Sequence, residues 1–412
     1  MDCSVTLWSR YSEETVEVAY RSGSFEVNRY SGAYSIGRLY SGRGFRVVSC
    51  AGECRDWAKS LLARLARTGD RTSTSVYCSD FYKGDFTIGS RTHLEEALAI
   101  AERTGKLLRD YGLSSEVILV SRHVRVEHSV EEYGVEAREN RWLHELYINA
   151  YTLYMGSLLS TGFALASTTP KSLNADIERI VNRISERIKL QARARRFNPV
   201  HVGSWRVLLS GDAACAFFHE IAHLLEADEP VKLGLDTNLG GGLKVIEDPF
   251  YPGPLQRVFD DEVYPAWRRT LVDDGVVVDY LRSRLTSGNS RPGNGRGLFT
   301  RPKPMYYQLV VSPGDWGLDE VFEEVRRLIA VDSIVKAELY QGYIRIVPEY
   351  GVFYEKGSST PIKGFEVLVP VSRLSSLLIG LTRSRSERYS YEKNMNIYEV
   401  APAVVLEARI SV

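Results

Sequence analysis

The chain has 412 residues, 44% of them hydrophobic and 25% charged, with 52 basic side chains set against 52 acidic ones. That balance leaves no support for a nucleic-acid or membrane-surface role driven by overall charge, and the length is that of two domains, three at most. Cys3, Cys50, Cys54, Cys78 and Cys215 are odd in number, irregularly spaced and without a CxxC, which argues against a disulfide framework.

The opening MDCSVTLWSRYSEETVEV has neither a basic n-region nor an apolar h-region, and no apolar run reaches ~18 residues. Neither a signal peptide nor a membrane span is expected, and the expected compartment is the cytoplasm. Arginine outnumbers lysine 40 to 12 and there are only 4 glutamines, a composition rich in ion-pairing groups and poor in thermolabile amides that suits a thermophile.

In chain order, VTLWSRY, TVEVAYR, SFEVNRY, AYSIGRLYS and GFRVVSCA alternate between polar and apolar residues and are punctuated by Gly, Ser and Asn, as antiparallel strands are. CRDWAKSLLARLART places Trp57, Leu61, Leu62 and Leu65 at helical spacing. THLEEALAIAERTGKLLRDYG begins with Thr92 as N-cap and Glu95 three residues on, a capping box. Further strands are expected in EVILVSRHVRVEHSV and from Trp142 to about Leu165. Pro170 then opens a long helix whose buried stripe is Ile177, Ile180, Val181, Ile184 and Ile188.

FNPVHVG is a linker, with a domain boundary near Asn198. The fold class is α+β: an N-terminal sheet-and-helix domain, 1–198, and a β-rich C-terminal domain, 199–412. The second domain starts with the strand SWRVLLS, turns at Ser210–Gly211–Asp212 and enters a helix. Gly-rich loops and strands, the helix DEVFEEVRRLIA and a strand-rich tail follow.

The helix after that turn reads FFHEIAHLLEAD from Phe217. His219 and His223, four residues apart, share one helix face at ~6 Å and are spaced to turn two imidazoles toward a single Zn²⁺. Glu220 lies beside them as a general base for a bound water. Phe217, Phe218, Ile221, Leu224 and Leu225 cover the opposite arc, Asp212 is placed to cap the helix and Pro230 to end it. The ordinary alternative is a half-buried amphipathic helix with two satisfied polar histidines.

Catalytic zinc takes three protein ligands and keeps a position open. Glu226 continues the histidine face a turn too far on, as a carboxylate behind a ligand or an exposed residue. Cys215, one turn before His219, would stretch the set over ~12 Å of helix and reads as a small buried residue. The third ligand is therefore expected from elsewhere. His144 has no partner at Ile148, and His93, His123, His128 and His201 are isolated.

VLLSGDAACAFFHEIAHLLEAD resembles the core motif of the TldD/PmbA proteins, whose active members are zinc metallopeptidases. In the same order, FDDEVYPAWRRTLVDDGVVVDYLRSR, RPGNGRG and PMYYQLVVSPGD are similar to that family's acidic segment, its GNGR loop and the strand after it. The chain departs from the family twice. The usual motif is HExxxH, one residue longer than the HExxH here. The family's third ligand is a cysteine near the C-terminus, and none follows Cys215. The corresponding stretch is SERYSYEKNMNIYEV, which offers Tyr389, Tyr391 and Glu392, with Glu226 as a further candidate.

The resemblance implies a TldD-like zinc peptidase acting on unfolded or short peptides, held by strand addition to a sheet edge in the internal cavity of a homodimer or of a heterodimer with a related subunit. LGGGLK and RPGNGRG are candidates for backbone donors near the substrate, or plain turns. Asp260, Asp261 and Glu262 are candidates for orienting a ligand histidine or binding a peptide amine, or an exposed acidic cluster. The alternative function is a metal-free partner subunit or peptide-binding scaffold. An association of the family with a nucleic-acid enzyme finds no basic aromatic stripe here, so neither a nucleic-acid nor a membrane partner is expected.

Overall fold

The computed structural model describes residues 4–41, 44–66, 76–355 and 357–412. An N-terminal, largely antiparallel sheet with helices precedes a β-rich C-terminal part. The first sheet holds β1 (Ser4–Arg21), β2 (Ser24–Ser41), β3 (Gly44–Ala51), β4 (Gly84–Ile88), β5 (Ser114–Val130), β6 (Val135–Tyr154) and β7 (Ser157–Ser167), ordered β3-β2-β1-β5-β6-β4 with β7 also on β6. Where four short strands were expected, β1 and β2 run 18 residues each. The polar residues read as breaks instead pair across the hairpin, Ser12 with Ala33, Glu13 with Gly32 and Glu14 with Ser31.

Helices α1 (Arg55–Leu65), α2 (Leu94–Asp110) and α3 (Pro170–Arg193) accompany this sheet. Val18, Tyr20, Val117, Leu119, Leu146 and Ile148, spaced by two along β1, β5 and β6, pack against Ile100, Ala101 and Leu108 of α2 and the whole expected stripe of α3. The capping box does not form. His93 is the N-cap of α2, and the Thr92 hydroxyl lies 3.1 Å from His144 Nδ1 instead. In α1, Leu62 is buried but Trp57 is exposed. The short turn from β3 into α1 brings Cys50 and Cys54 close, with Cα atoms 6.4 Å apart.

The C-terminal strands are β8 (Arg195–Arg196), β9 (Gly203–Leu209), β10 (Val245–Glu247), β11 (Arg269–Asp273), β12 (Val276–Val277), β13 (Gly295–Arg296), β14 (Lys303–Pro304), β15 (Gln308–Val311), β16 (Arg327–Val331), β17 (Ile334–Tyr340), β18 (Tyr343–Pro348), β19 (Gly351–Glu355), β20 (Ser358–Lys363), β21 (Glu366–Pro370), β22 (Leu378–Glu392) and β23 (Met395–Ser411). All but the β13–β14 ribbon join one sheet around β23, which pairs with β9, β15, β21 and β22. Ile397–Leu406 of β23 is buried without alternation, as a strand covered on both faces must be. The helix expected in DEVFEEVRRLIA is only α5's length: the helix spans Leu318–Glu324, and Arg327–Val331 is β16, where Leu328, Ile329 and Val331 pack as a strand beside β9.

Helix α4 (Gly211–His223) follows β9 directly. Gly211 makes the turn at φ +54°, and a Cβ there would stand 2.8 Å from the Asp332 carbonyl oxygen. Asp212 does not cap the helix: its carboxylate takes Arg187 Nη2 at 2.6 Å, while Ser210 is the N-cap. Nor does α4 reach Pro230. It ends at His223 and is buried on every side, not along one arc.

Three buried arginines tie the two parts together through main-chain carbonyls. Arg284 donates to Tyr77, Ser79 and Asp80, Arg38 to Asp261, and Arg141 to Pro254 and Gln256. Each guanidinium serves acceptors that burial would otherwise leave unsatisfied.

Candidate metal centre

His219 and His223 both turn Nε2 to the same point, 3.0 Å apart. Glu392 Oε2 completes the triangle at 2.5 Å from His219 Nε2 and 3.1 Å from His223 Nε2. Donors ~2.0–2.1 Å from one tetrahedral ion lie ~3.3 Å from each other; the 3.0 and 3.1 Å separations come near that spacing, and the 2.5 Å one is a hydrogen-bond distance. The other ring nitrogens are held from behind. His223 Nδ1 lies 2.7 Å from Glu226 Oε1. His219 Nδ1 meets the Tyr306 hydroxyl, which donates to Glu399 Oε1 at 2.9 Å. A carboxylate behind Nδ1 favours the Nδ1–H tautomer and leaves an Nε2 lone pair facing the triangle. Two such lone pairs and a carboxylate oxygen around one point repel unless a cation, or protons on the rings, sit among them.

The elements explain the convergence. The two histidines occupy successive turns of α4, His223 at its last position. After the helix, Leu281 and Ala227 pair through the main chain, which keeps the buried Glu226 beneath His223. Glu392 closes the β22–β23 hairpin opposite Met395, and the two turn residues, Lys393 and Asn394, have φ of +50° and +64°. Positive φ at both central positions is the type I′ geometry that fixes hairpin register.

Charge is concentrated here. Burial opposes ionisation of both rings, but the hydrogen bonds from Glu226 and Glu392 outweigh it and raise His223 to about 9. His219 is likewise raised, by Glu392 and Glu399 against burial. Burial also opposes the Glu392 charge, and the two imidazoles overcome it and hold the carboxyl far below its ordinary range. Glu220 lies beside the triad and takes the Leu339 backbone N–H. Its pKa is raised, chiefly by burial, with His219 and His223 pulling the other way. A cavity of about 460 Å³ opens over these groups, walled by Ala337–Leu339 of β17 and by Arg388, Ser390 and Glu392 of β22.

The remaining candidates are elsewhere or differently employed. Tyr389 points to the opposite face of β22 and donates to Glu145 Oε1 at 2.7 Å. Tyr391 lines the cavity but is 59% exposed. Cys215 is fully buried, its Sγ 3.5 Å from the Ser386 carbonyl oxygen.

Asp260, Asp261 and Glu262 are not an exposed cluster. Asp260 accepts from the Gly295 amide at 2.9 Å and Asp261 from Gly297 at 2.8 Å, so the acidic run spends the backbone donors of RPGNGRG on the loop itself. LGGGLK packs against Leu378 through Gly240, away from the cavity. Sequence reasoning missed Tyr306, Glu399 and Arg388. Tyr306 and Glu399 stood in the strand phrases PMYYQ and NIYEV, and only pairing across β23 brings them under α4.

Residues 202–374 match the model of the PmbA/TldA metallopeptidase C-terminal domain. The whole fold is similar to a modulator of a DNA gyrase from Thermotoga maritima (TM-score 0.78, 15% identity, 99% of this chain and 96% of that one) and to TldE from Thermococcus kodakarensis (TM-score 0.80, 15% identity, 99% and 97%). The chain is thus similar to the TldD/PmbA proteins, through the family's C-terminal domain over residues 202–374 and through the fold over its length. Two relatives named metalloproteases match a part of it. One, from Methanocaldococcus jannaschii, is 28% identical over 188 residues, 42% of this chain and 40% of the relative. The other, from Methanothermobacter thermautotrophicus, is 29% identical over 169 residues, 37% and 35%. The chain thus matches well under half the length of either. Among the described residues no helix is long and apolar enough to cross a membrane.

Proposed function

We propose that this chain is a zinc metallopeptidase of unfolded or short peptides, with His219, His223 and Glu392 holding the ion and Glu220 as its general base. The observation that carries the reading is the meeting of two Nε2 atoms and Glu392 Oε2 at one point, with both Nδ1 atoms engaged behind them. Two imidazoles and a carboxylate are a donor set that suits catalytic zinc, and they replace the thiolate that the family resemblance implied. Zinc held there supplies a Lewis acid for the scissile carbonyl and acidifies water at neutral pH.

The chain's own residues do the rest. Glu220, whose pKa burial raises, takes the proton of the attacking water and returns it to the leaving amine. Among the described residues, over their cleft-facing lengths β17 pairs only with β18 and β22 only with β23, so each has an edge open to an extended peptide. The cavity at the triad adjoins a second one of about 600 Å³ that shares Ala337, Arg388, Ser390 and Tyr391 and reaches the N-terminal sheet at Tyr147 and Asn149. Together they make a trough for a chain without tertiary structure.

A homodimer, or a heterodimer with a related subunit, is the assembly we propose. The apolar β6–β7 hairpin tip supports it, with Leu153 77%, Met155 90% and Leu158 65% exposed. The deciding experiment is metal analysis of purified protein together with a peptide-cleavage assay. About one zinc per chain, with cleavage lost in Glu220→Ala while zinc stays, is expected. A metal-free protein that still binds peptides would make it the scaffold.

A further inference from the structure

Arg388 sits where the two cavities of the trough meet, on the same face of β22 as Ser390 and Glu392. Its anchoring is slight for an arginine. Nη1 donates to Glu399 Oε1 at 3.2 Å, and that oxygen already accepts from Tyr306. Arginine prefers a bidentate fork on a carboxylate, and this guanidinium has a single-point anchor with its side chain 23% exposed toward the trough. The lysines of the trough are engaged. Lys336 lies 2.6 Å from Glu338 Oε2, and Lys393 stands between Glu226 and Glu392 at 3.6 Å from each. Asp212, also on the wall, is taken by Arg187.

We infer that Arg388 is the carboxylate-recognition residue of the peptide trough, selecting substrates that carry a carboxylate about four residues from the bond held at the triad. The inference rests on the peptidase reading and gives it a substrate class. The spacing comes from the strand. A peptide added to the open edge of β22 runs in register with it, so the residue beside Arg388 is four positions, ~13 Å, from the one beside Glu392. The side chain beside Arg388 on that face meets the free N–H groups of a guanidinium whose position Glu399 fixes. Ser390, between them, lines both cavities with a buried hydroxyl that has no partner among the described residues, and it adds a donor along the same track. The carboxylate has two chemical sources, a Glu or Asp side chain or the C-terminus of a short peptide.

The test uses full-length Glu220→Gln protein loaded with zinc, which binds without cleaving. Fluorescence anisotropy measures ten-residue peptides with one Glu moved along the chain, each against its Gln counterpart, and a free-acid peptide against its amide. At one position, Glu is expected to bind roughly tenfold or more tighter than Gln. Adding Arg388→Gln should erase that difference, and Arg388→Lys should restore part of it, with zinc content unchanged. A preference confined to the free-acid pair identifies the C-terminus as the source. Equal weakening of Glu and Gln peptides by Arg388→Gln would overturn the inference, leaving Arg388 as a partner of Glu399 only. Protein that binds neither zinc nor any peptide would sink the peptidase reading along with it.

Discussion

At the scale of single residues, the site is two layers deep. The inner layer is the three donor atoms. The outer layer is Glu226 on His223 and the Tyr306–Glu399 pair on His219, each fixing a tautomer. Partners behind metal-ligating histidines are worth ~10–100-fold in metal affinity. Glu226→Gln is therefore expected to weaken zinc binding by about that factor, read by competition with a chromogenic chelator, while the far-UV circular dichroism stays unchanged. Unaltered affinity would mean that His223 needs no orienting partner. The third donor is open to a paired test. Glu392→Ala should abolish stoichiometric zinc, whereas Tyr389→Phe, which removes only a hydrogen bond to Glu145, should keep it. The reverse pattern in metal analysis would return the ligand role to the tyrosine.

At the scale of elements, the proposed ligand set depends on a tight turn. Glu392 reaches the histidines because the β22–β23 hairpin closes over Lys393 and Asn394 at positive φ. Asparagine tolerates that region and a β-branched residue does not. Asn394→Val is expected to cost about 1–2 kcal/mol and to lower zinc affinity with no ligand altered, while Asn394→Gly keeps both. Thermal melts with and without zinc distinguish the two variants. The same hairpin shows what was legible in the sequence and what was not. HExxH announced His219, Glu220 and His223 because the helical period alone puts two of them on one face. Glu392 was one of four candidates, since nothing in YSYEKNM states which side of the strand meets α4; the pairing of β22 with β23 decides that. The α3 stripe was legible because a 3.6-residue period repeats through it. α5 was overextended because VRRLIA carries apolar residues that suit helix and strand alike, and only its neighbour β9 selects the strand. The polar run SEET looked like a break for want of its partner on β2.

At the scale of the whole molecule, the two parts meet through buried charge, which makes stability depend on pH. His128 on β5 lies 2.8 Å from Ser9 Oγ and turns its ring edge toward Phe259 of the C-terminal part. Burial, reinforced by the Arg38 charge, lowers its pKa from 6.5 to about 3. The folded ring is therefore neutral where the unfolded one takes up a proton. Its contribution to stability is fully present above pH 6.5 and is lost as the pH falls toward 3, on the order of 5 kcal/mol over the whole interval. Asp260 and Glu262 of the acidic run work in the opposite sense. Burial raises Asp260 to about 6 and Glu262 to about 7, so the folded state holds their protons and loses stability as pH rises through those values. The expected result is partial compensation in the native chain, exposed when one side is removed. His128→Asn keeps a hydrogen-bonding group for Ser9 and cannot ionise. Its melting temperature should fall below that of the native protein at pH 7.5, and the gap should narrow steadily at pH 5.5 and pH 4. Glu262→Gln should show its largest relative gain at pH 8. A gap between His128→Asn and the native protein that stays constant from pH 7.5 to pH 4 would mean that the ring is not held neutral between the two parts, and that their junction is indifferent to acid.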